Sequence, residues 1–73
     1  MLYTNDDVQI LIDQTNKDPK LKGLIRSQLT GRDLLALNDV LSDGTCERFD
    51  RYDSDVCEQF ILAYENSVEQ LRG

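Results

Sequence analysis

The chain has no histidine and no tryptophan among its 73 residues, and only one proline and two cysteines. Without histidine, the nucleophile–base pairs of serine and cysteine hydrolases lack their base. Two cysteines without histidine do not close a tetrahedral zinc site within one chain. No apolar run approaches the ~18 residues that span a membrane. The residues from Met1 to Asp7 are acidic and lack the basic and apolar parts of a signal peptide, so an intracellular location is expected. Gly23 and Gly31 stand alone, which leaves no glycine-rich phosphate loop. Asp50, Asp53 and Asp55 lie close together but miss the EF-hand order of acids, glycine and terminal glutamate. They are expected to form a solvated turn. These absences predict a non-enzymatic chain with no metal and no cofactor.

What the chain does have is charge, unevenly placed. Residues 14–32 hold five of the eight basic side chains and one acid, for a net of +4. Residues 33–73 hold ten acids against three arginines, for a net of −7, and residues 1–13 add three aspartates. The total of −6 therefore hides two surfaces of opposite sign, which is a statement about partners more than about chemistry. Hydrophobic content of 40% and charged content of 30% suit a folded chain, not a disordered one. A single domain over residues 1–73 is expected. A domain of this size buries only ~60% of the surface its unfolded chain exposes, so its core is small.

Helical periodicity runs through almost every segment, and no sustained strand alternation appears. The pattern predicts an all-α fold, a compact bundle of four to five short helices. Thr4 and Asp7 make an approximate capping box, with Tyr3 and Val8 as its hydrophobic staple. Val8, Leu11, Ile12 and Thr15 share one stripe that ends near Asn16 or Lys17. Asp18-Pro19 opens a second helix, with aspartate as cap and proline in the first turn. Leu21, Leu24, Ile25, Gln28 and Leu29 follow at helical spacing, and Gly23 is expected to leave this helix short or frayed early. Thr30-Gly31-Arg32-Asp33 reads as a further capping box. In the third helix Leu34, Leu37 and Leu41 form the stripe, and Leu35 and Val40 are expected to widen it, as in a central helix touched on two sides. Gly44 is placed to end it as a left-handed cap. Thr45 opens a segment with Cys46, Phe49 and Tyr52. The last stretch carries Val56, Cys57, Phe60, Ile61, Tyr64, Val68 and Leu71. A break near Asp53 is favoured over one continuous helix, because Asp50, Asp53, Ser54 and Asp55 compete with the helical backbone. On one helix, Cys46 and Cys57 would sit about 16 Å apart, beyond bridging distance; a break reopens a disulfide. Two reduced, mostly buried thiols are the expectation.

Three features suit binding. The first is the basic segment Lys17, Lys20, Lys22, Arg26 and Arg32. Two short helices around Thr30 loosely match a helix-turn-helix, but the second carries Asp33 and Asp39 and few donors able to read bases. The chain as a whole is acidic, so direct nucleic-acid binding is disfavoured against a solvated face or an acidic patch on a protein partner. The second is the outer face of the last helix. With Cys57 taken as the middle of the stripe, Leu62 lies about 140° away, among Asp55, Glu58, Glu65 and Glu69. An aliphatic anchor amid carboxylates fits a partner's pocket with a basic rim, although single exposed leucines are also ordinary. The third is Ile10, opposite the stripe of the first helix, with Tyr3 and Tyr52 as further partly exposed residues.

In length, acidity and helical make-up, the chain resembles small phage-encoded regulators that bind host RNA polymerase. The resemblance implies a cytoplasmic protein that binds a host protein complex and alters transcription initiation or termination by occupancy. It carries no motif, so it assigns no role to any residue. An acidic DNA mimic that inhibits a nuclease or another DNA-binding protein is the alternative. A third reading is a homo-oligomer in which the basic segment of one copy meets the acidic helix of another.

Overall fold

A computed structural model describes residues 3–73. These residues fold into four α-helices and one 3-10 helix: α1 Asn5–Lys17, α2 Pro19–Ser27, α3 Gly31–Asp43, the 3-10 helix Cys46–Arg51 and α4 Ser54–Arg72. No strand occurs among the described residues. The Cα radius of gyration of 11.0 Å equals the ~11 Å expected of a folded domain this long.

Most boundaries follow from local chemistry. Thr4 accepts from the Asp7 N–H at 3.2 Å, while Asp7 Oδ2 accepts from the Thr4 N–H at 3.0 Å, so the box closes in both directions. Asp18 caps α2 through the Lys20 and Leu21 N–H groups, with Pro19 at the helix start. The α2 helix is short, nine residues, as Gly23 predicts, and it runs through that glycine to Ser27 without an early break. Gly44 ends α3 with φ +81° and donates its N–H to the Val40 carbonyl at 2.8 Å. The break near Asp53 is present, and the 3-10 helix and α4 are separate elements on either side of it.

The second capping box does not form: the Thr30 side chain caps nothing. Gly31 adopts φ +53°, outside the right-handed range that a box needs across its first turn. The box pattern at residues 30–33 therefore overlooked the glycine inside it.

One contiguous cluster forms the core. Val8 and Ile12 come from α1, Leu21 and Ile25 from α2, Ala36, Leu37, Val40 and Leu41 from α3, and Val56, Phe60, Ile61 and Ala63 from α4. Phe49 joins from the 3-10 helix and Leu29 from the connection between α2 and α3. Phe60 is fully buried, in tilted contact with Phe49 and edge-on to Tyr64, with ring centroids 5.7 and 6.3 Å apart. Leu35 departs from expectation: it is 72% exposed. At about 100° per residue it lies some 160° from Leu37, and the small Ala36 takes the buried position instead. The buried arc of α3 is thus broad but confined to one side, where α1, α4 and the 3-10 helix meet it. The α2 helix packs on α4 and α1 and has no substantial contact with α3. That arrangement removes the helix-turn-helix pairing and leaves α2 at an edge of the bundle.

Polar side chains tie the helices together. Gln9 donates from Nε2 to the Gly44 carbonyl at 2.8 Å and accepts from the Cys46 N–H at 2.9 Å, pinning α1 to the turn after α3. Asn16 donates to the Leu41 carbonyl at 3.0 Å. Gln28 donates to Ser67 Oγ at 2.7 Å and to the Ala63 carbonyl at 3.3 Å across the α2–α4 seam. The buried Thr15 and Ser67 hydroxyls donate to the carbonyls of Leu11 and Ala63 in their own helices. No buried side-chain polar atom among the described residues is left without a partner, as a sound core requires.

Candidate functional site

The outer face of α4 carries the clearest unpartnered surface. Val56, Phe60, Ala63 and Ser67 define the middle of its buried side. Leu62 lies about 160° from Phe60 around the helix and is 54% exposed. Asp55, Glu58, Glu65 and Glu69 are exposed and fall on the same arc. The buried side is centred nearer Phe60 than Cys57, so Leu62 sits more squarely opposite the core than the sequence placed it. None of these four acids forms an ion pair among the described residues.

The basic residues divide. Arg32 bonds Asp53 at 2.8 Å in a well-exposed pair, which takes it out of the cationic cluster and also occupies the carboxylate that would cap α4. Lys17, Lys20, Lys22 and Arg26 pair with no acid among the described residues. Leu21 and Ile25 form the inner side of α2. At about 100° per residue, Lys20 flanks the outer side from one edge and Lys22 and Arg26 from the other, with Gly23 between them. These groups and the α4 acids belong to neighbouring helices packed on each other. Ile10 is 56% exposed on the outer face of α1, as its register predicts.

One cluster was missed in the sequence. Arg48 donates from Nε to Asp39 Oδ2 at 3.0 Å, the Tyr52 hydroxyl donates to the same oxygen, and Arg48 lies 3.9 Å from Asp43. The Arg48 hydrogen bond, followed by that from Tyr52, holds the Asp39 carboxyl below the usual aspartate range. The same carboxylate raises the Tyr52 hydroxyl. The cluster fixes the 3-10 helix on α3. A nine-residue separation between Asp39 and Arg48 across a glycine cap offers no periodic signal of it.

A groove of about 350 Å³ opens between the start of α1, the 3-10 helix and the start of α4, bordered by Val8, Cys46, Phe49, Tyr52 and Cys57. Both cysteines are free and half-buried, less covered than expected. Burial pushes both thiols up, so neither is a thiolate at neutral pH, the form that attacks electrophiles. Asp50 lines the groove, but no imidazole or amine is there to act as a base. Among the described residues no three metal-ligating side chains gather, and no helix is long and apolar enough to cross a membrane. No family model matches the sequence, and no curated protein or solved structure matches it either.

Proposed function

We propose that the chain is a non-catalytic protein-binding regulator that acts by occupying a surface on a larger complex. The resemblance to small phage-encoded regulators makes host RNA polymerase the expected target, with transcription initiation or termination as the step altered. One observation carries the reading: Leu62 stands exposed at the centre of four unpaired carboxylates on the longest helix. An apolar anchor seated in a partner's pocket, with acids meeting a basic rim, is the arrangement that concentrates binding energy. The acids add rate and register through charge complementarity.

Affinity purification from a bacterial lysate tests the target, and RNA polymerase is the expected catch. Consistent recovery of an unrelated complex without polymerase would sink that assignment. Leu62→Ala tests the anchor: truncating a residue worth about 2 kcal/mol lowers affinity ~30-fold. Loss that instead follows salt steeply, with direct competition by DNA, supports the DNA-mimic reading. The unpaired cations of α2 weigh against that reading, because a uniform phosphate-like surface has no place for them.

A further inference from the structure

We propose that the outer face of α2 is a docking surface for a second copy of this chain. The incoming copy seats its α4 face there, with Leu62 over Gly23 and with Glu58, Glu65 and Glu69 against Lys20, Lys22 and Arg26.

The inference starts from Gly23. A glycine in a helix interior costs about 1 kcal/mol relative to alanine, and nothing inside the molecule calls for one here. A Cβ built at Gly23 meets no atom within 4 Å, and the residue has no left-handed φ. Its exposed neighbours one turn away are Pro19, Lys20, Arg26 and Ser27. Gly23 is therefore a notch in the middle of a helix face, rimmed by cations that pair with no acid among the described residues. Missing side-chain volume at a helix surface is what allows another chain to approach closely.

The chain itself carries the complementary feature. Leu62 is a protruding aliphatic knob, 54% exposed and ringed by unpaired carboxylates. Knob meets notch, and negative rim meets positive rim. The two faces belong to helices that already pack side by side on their inner sides, so one molecule cannot join them to each other; a second copy can. Such a contact joins two different patches and is heterologous. It leaves a free α2 face at one end and a free α4 face at the other, so assemblies grow as short chains or close as rings.

The contact is weak. A nine-residue α2 is about 13 Å long, and one helix on another falls short of the ~1,200 Å² that stable interfaces bury. Salt dependence follows from two opposing effects. Each copy carries −6, and at ~0.01 M salt the Debye length of ~30 Å lets whole molecules repel. At ~0.1 M screening shortens to ~10 Å, which silences the net charge but spares the contacting rims; at ~1 M it reaches ~3 Å and weakens these as well. The contact uses the same α4 face as the function proposed above, so self-association hides that face from a partner, yet it requires no partner to exist.

Light scattering on the purified full chain across a wide concentration range tests the proposal without any partner, so its failure leaves the partner reading intact. At ~0.1 M salt the average mass should rise above 8.4 kDa with concentration and return to it at ~1 M. The combined variant Lys20→Glu, Lys22→Glu and Arg26→Glu should stay monomeric, as should Glu58→Lys, Glu65→Lys and Glu69→Lys. Mixing the two should restore association, because each supplies the face the other has lost. Gly23→Leu should weaken association at least tenfold by filling the notch, with circular dichroism confirming that all variants keep the wild-type helix content. A monomer at every concentration overturns the proposal. So does association that survives both charge reversals, which points to another face such as that of Leu35. A monomer that instead co-migrates with a ~20-nucleotide single strand also overturns it and assigns the α2 face to phosphate.

Discussion

Polar groups are used differently on the two sides of this molecule. Where α1, α3 and the 3-10 helix meet, they are satisfied internally: Gln9 holds Gly44 and Cys46, Asn16 holds Leu41, and Asp39 takes both Arg48 and Tyr52. On the outer faces of α2 and α4, the three cations Lys20, Lys22 and Arg26 and four carboxylates have no ion-pair partner among the described residues. The first set holds secondary structure in place. The second set adds little to folding, since isolated surface charges seldom contribute measurably. Substitution should therefore separate the two sides, one reading out as stability and the other as association.

The reference for stability is the core that both sides share. Phe60→Ala should cost about 3–5 kcal/mol, a large part of the ~4–10 kcal/mol total expected for a domain of this length. Urea unfolding should show a collapse of the midpoint, and a loss under ~1 kcal/mol would mean that Phe60 is not the centre of packing. On the internally satisfied side, Gln9→Ala leaves the Gly44 carbonyl and Cys46 N–H without their partner and should cost about 1–3 kcal/mol. Faster hydrogen exchange at the Cys46 amide should accompany that loss.

Asp39 gives a pH signature. Its folded pKa is lowered, first by Arg48 and then by Tyr52. A depressed carboxylate stabilises the fold above its unfolded value, and that contribution is lost as pH falls through the folded value. The wild-type chain should therefore lose stability on acidification below the ordinary aspartate pKa of 3.8. Asp39→Asn should be less stable at neutral pH and show a shallower acid limb. Parallel acid limbs in the two proteins would show that the cluster does not couple to folding.

The smallest effects should come from the free charges. Lys20→Ala and Glu65→Ala should each leave stability within about ±0.5 kcal/mol, measured by the same unfolding midpoints. A larger loss from either would erase the contrast between the two sides.

The capping sequences at Thr4 and Thr30 show where reading the chain succeeded and where it stopped. Both offer threonine with aspartate three residues on. The first forms the reciprocal box; in the second Gly31 takes φ +53° and the box never closes. A cap is legible when every residue in it has the ordinary backbone. Leu35 teaches the same about packing: its apolar character suggested burial, but its angular position put it outside, and Ala36 fills the space. The candidate surface was better read. Leu62 and its acids, and Lys20, Lys22 and Arg26, stand where helical register put them, because outward faces are fixed by position on a single helix. Arg32 differs from the other basic residues of that segment in having an acid beside it, and the partner, Asp53, comes from a distant turn that the local pattern does not show.

The sequence by itself determined the all-α class, the caps at Thr4, Asp18 and Gly44, the break before α4 and the register that turns Ile10 and Leu62 outward. These depend on residues within one or two turns of each other, and local sterics and hydrogen bonding decide them. Only the tertiary structure decided that α2 lies on α4 at the edge of the bundle, that Asp39, Arg48 and Tyr52 form one cluster, and that Lys20, Lys22 and Arg26 pair with no acid among the described residues although they lie beside an acidic helix. Those outcomes depend on which surfaces bury together, and contacts between residues far apart in sequence leave no periodic trace in the chain.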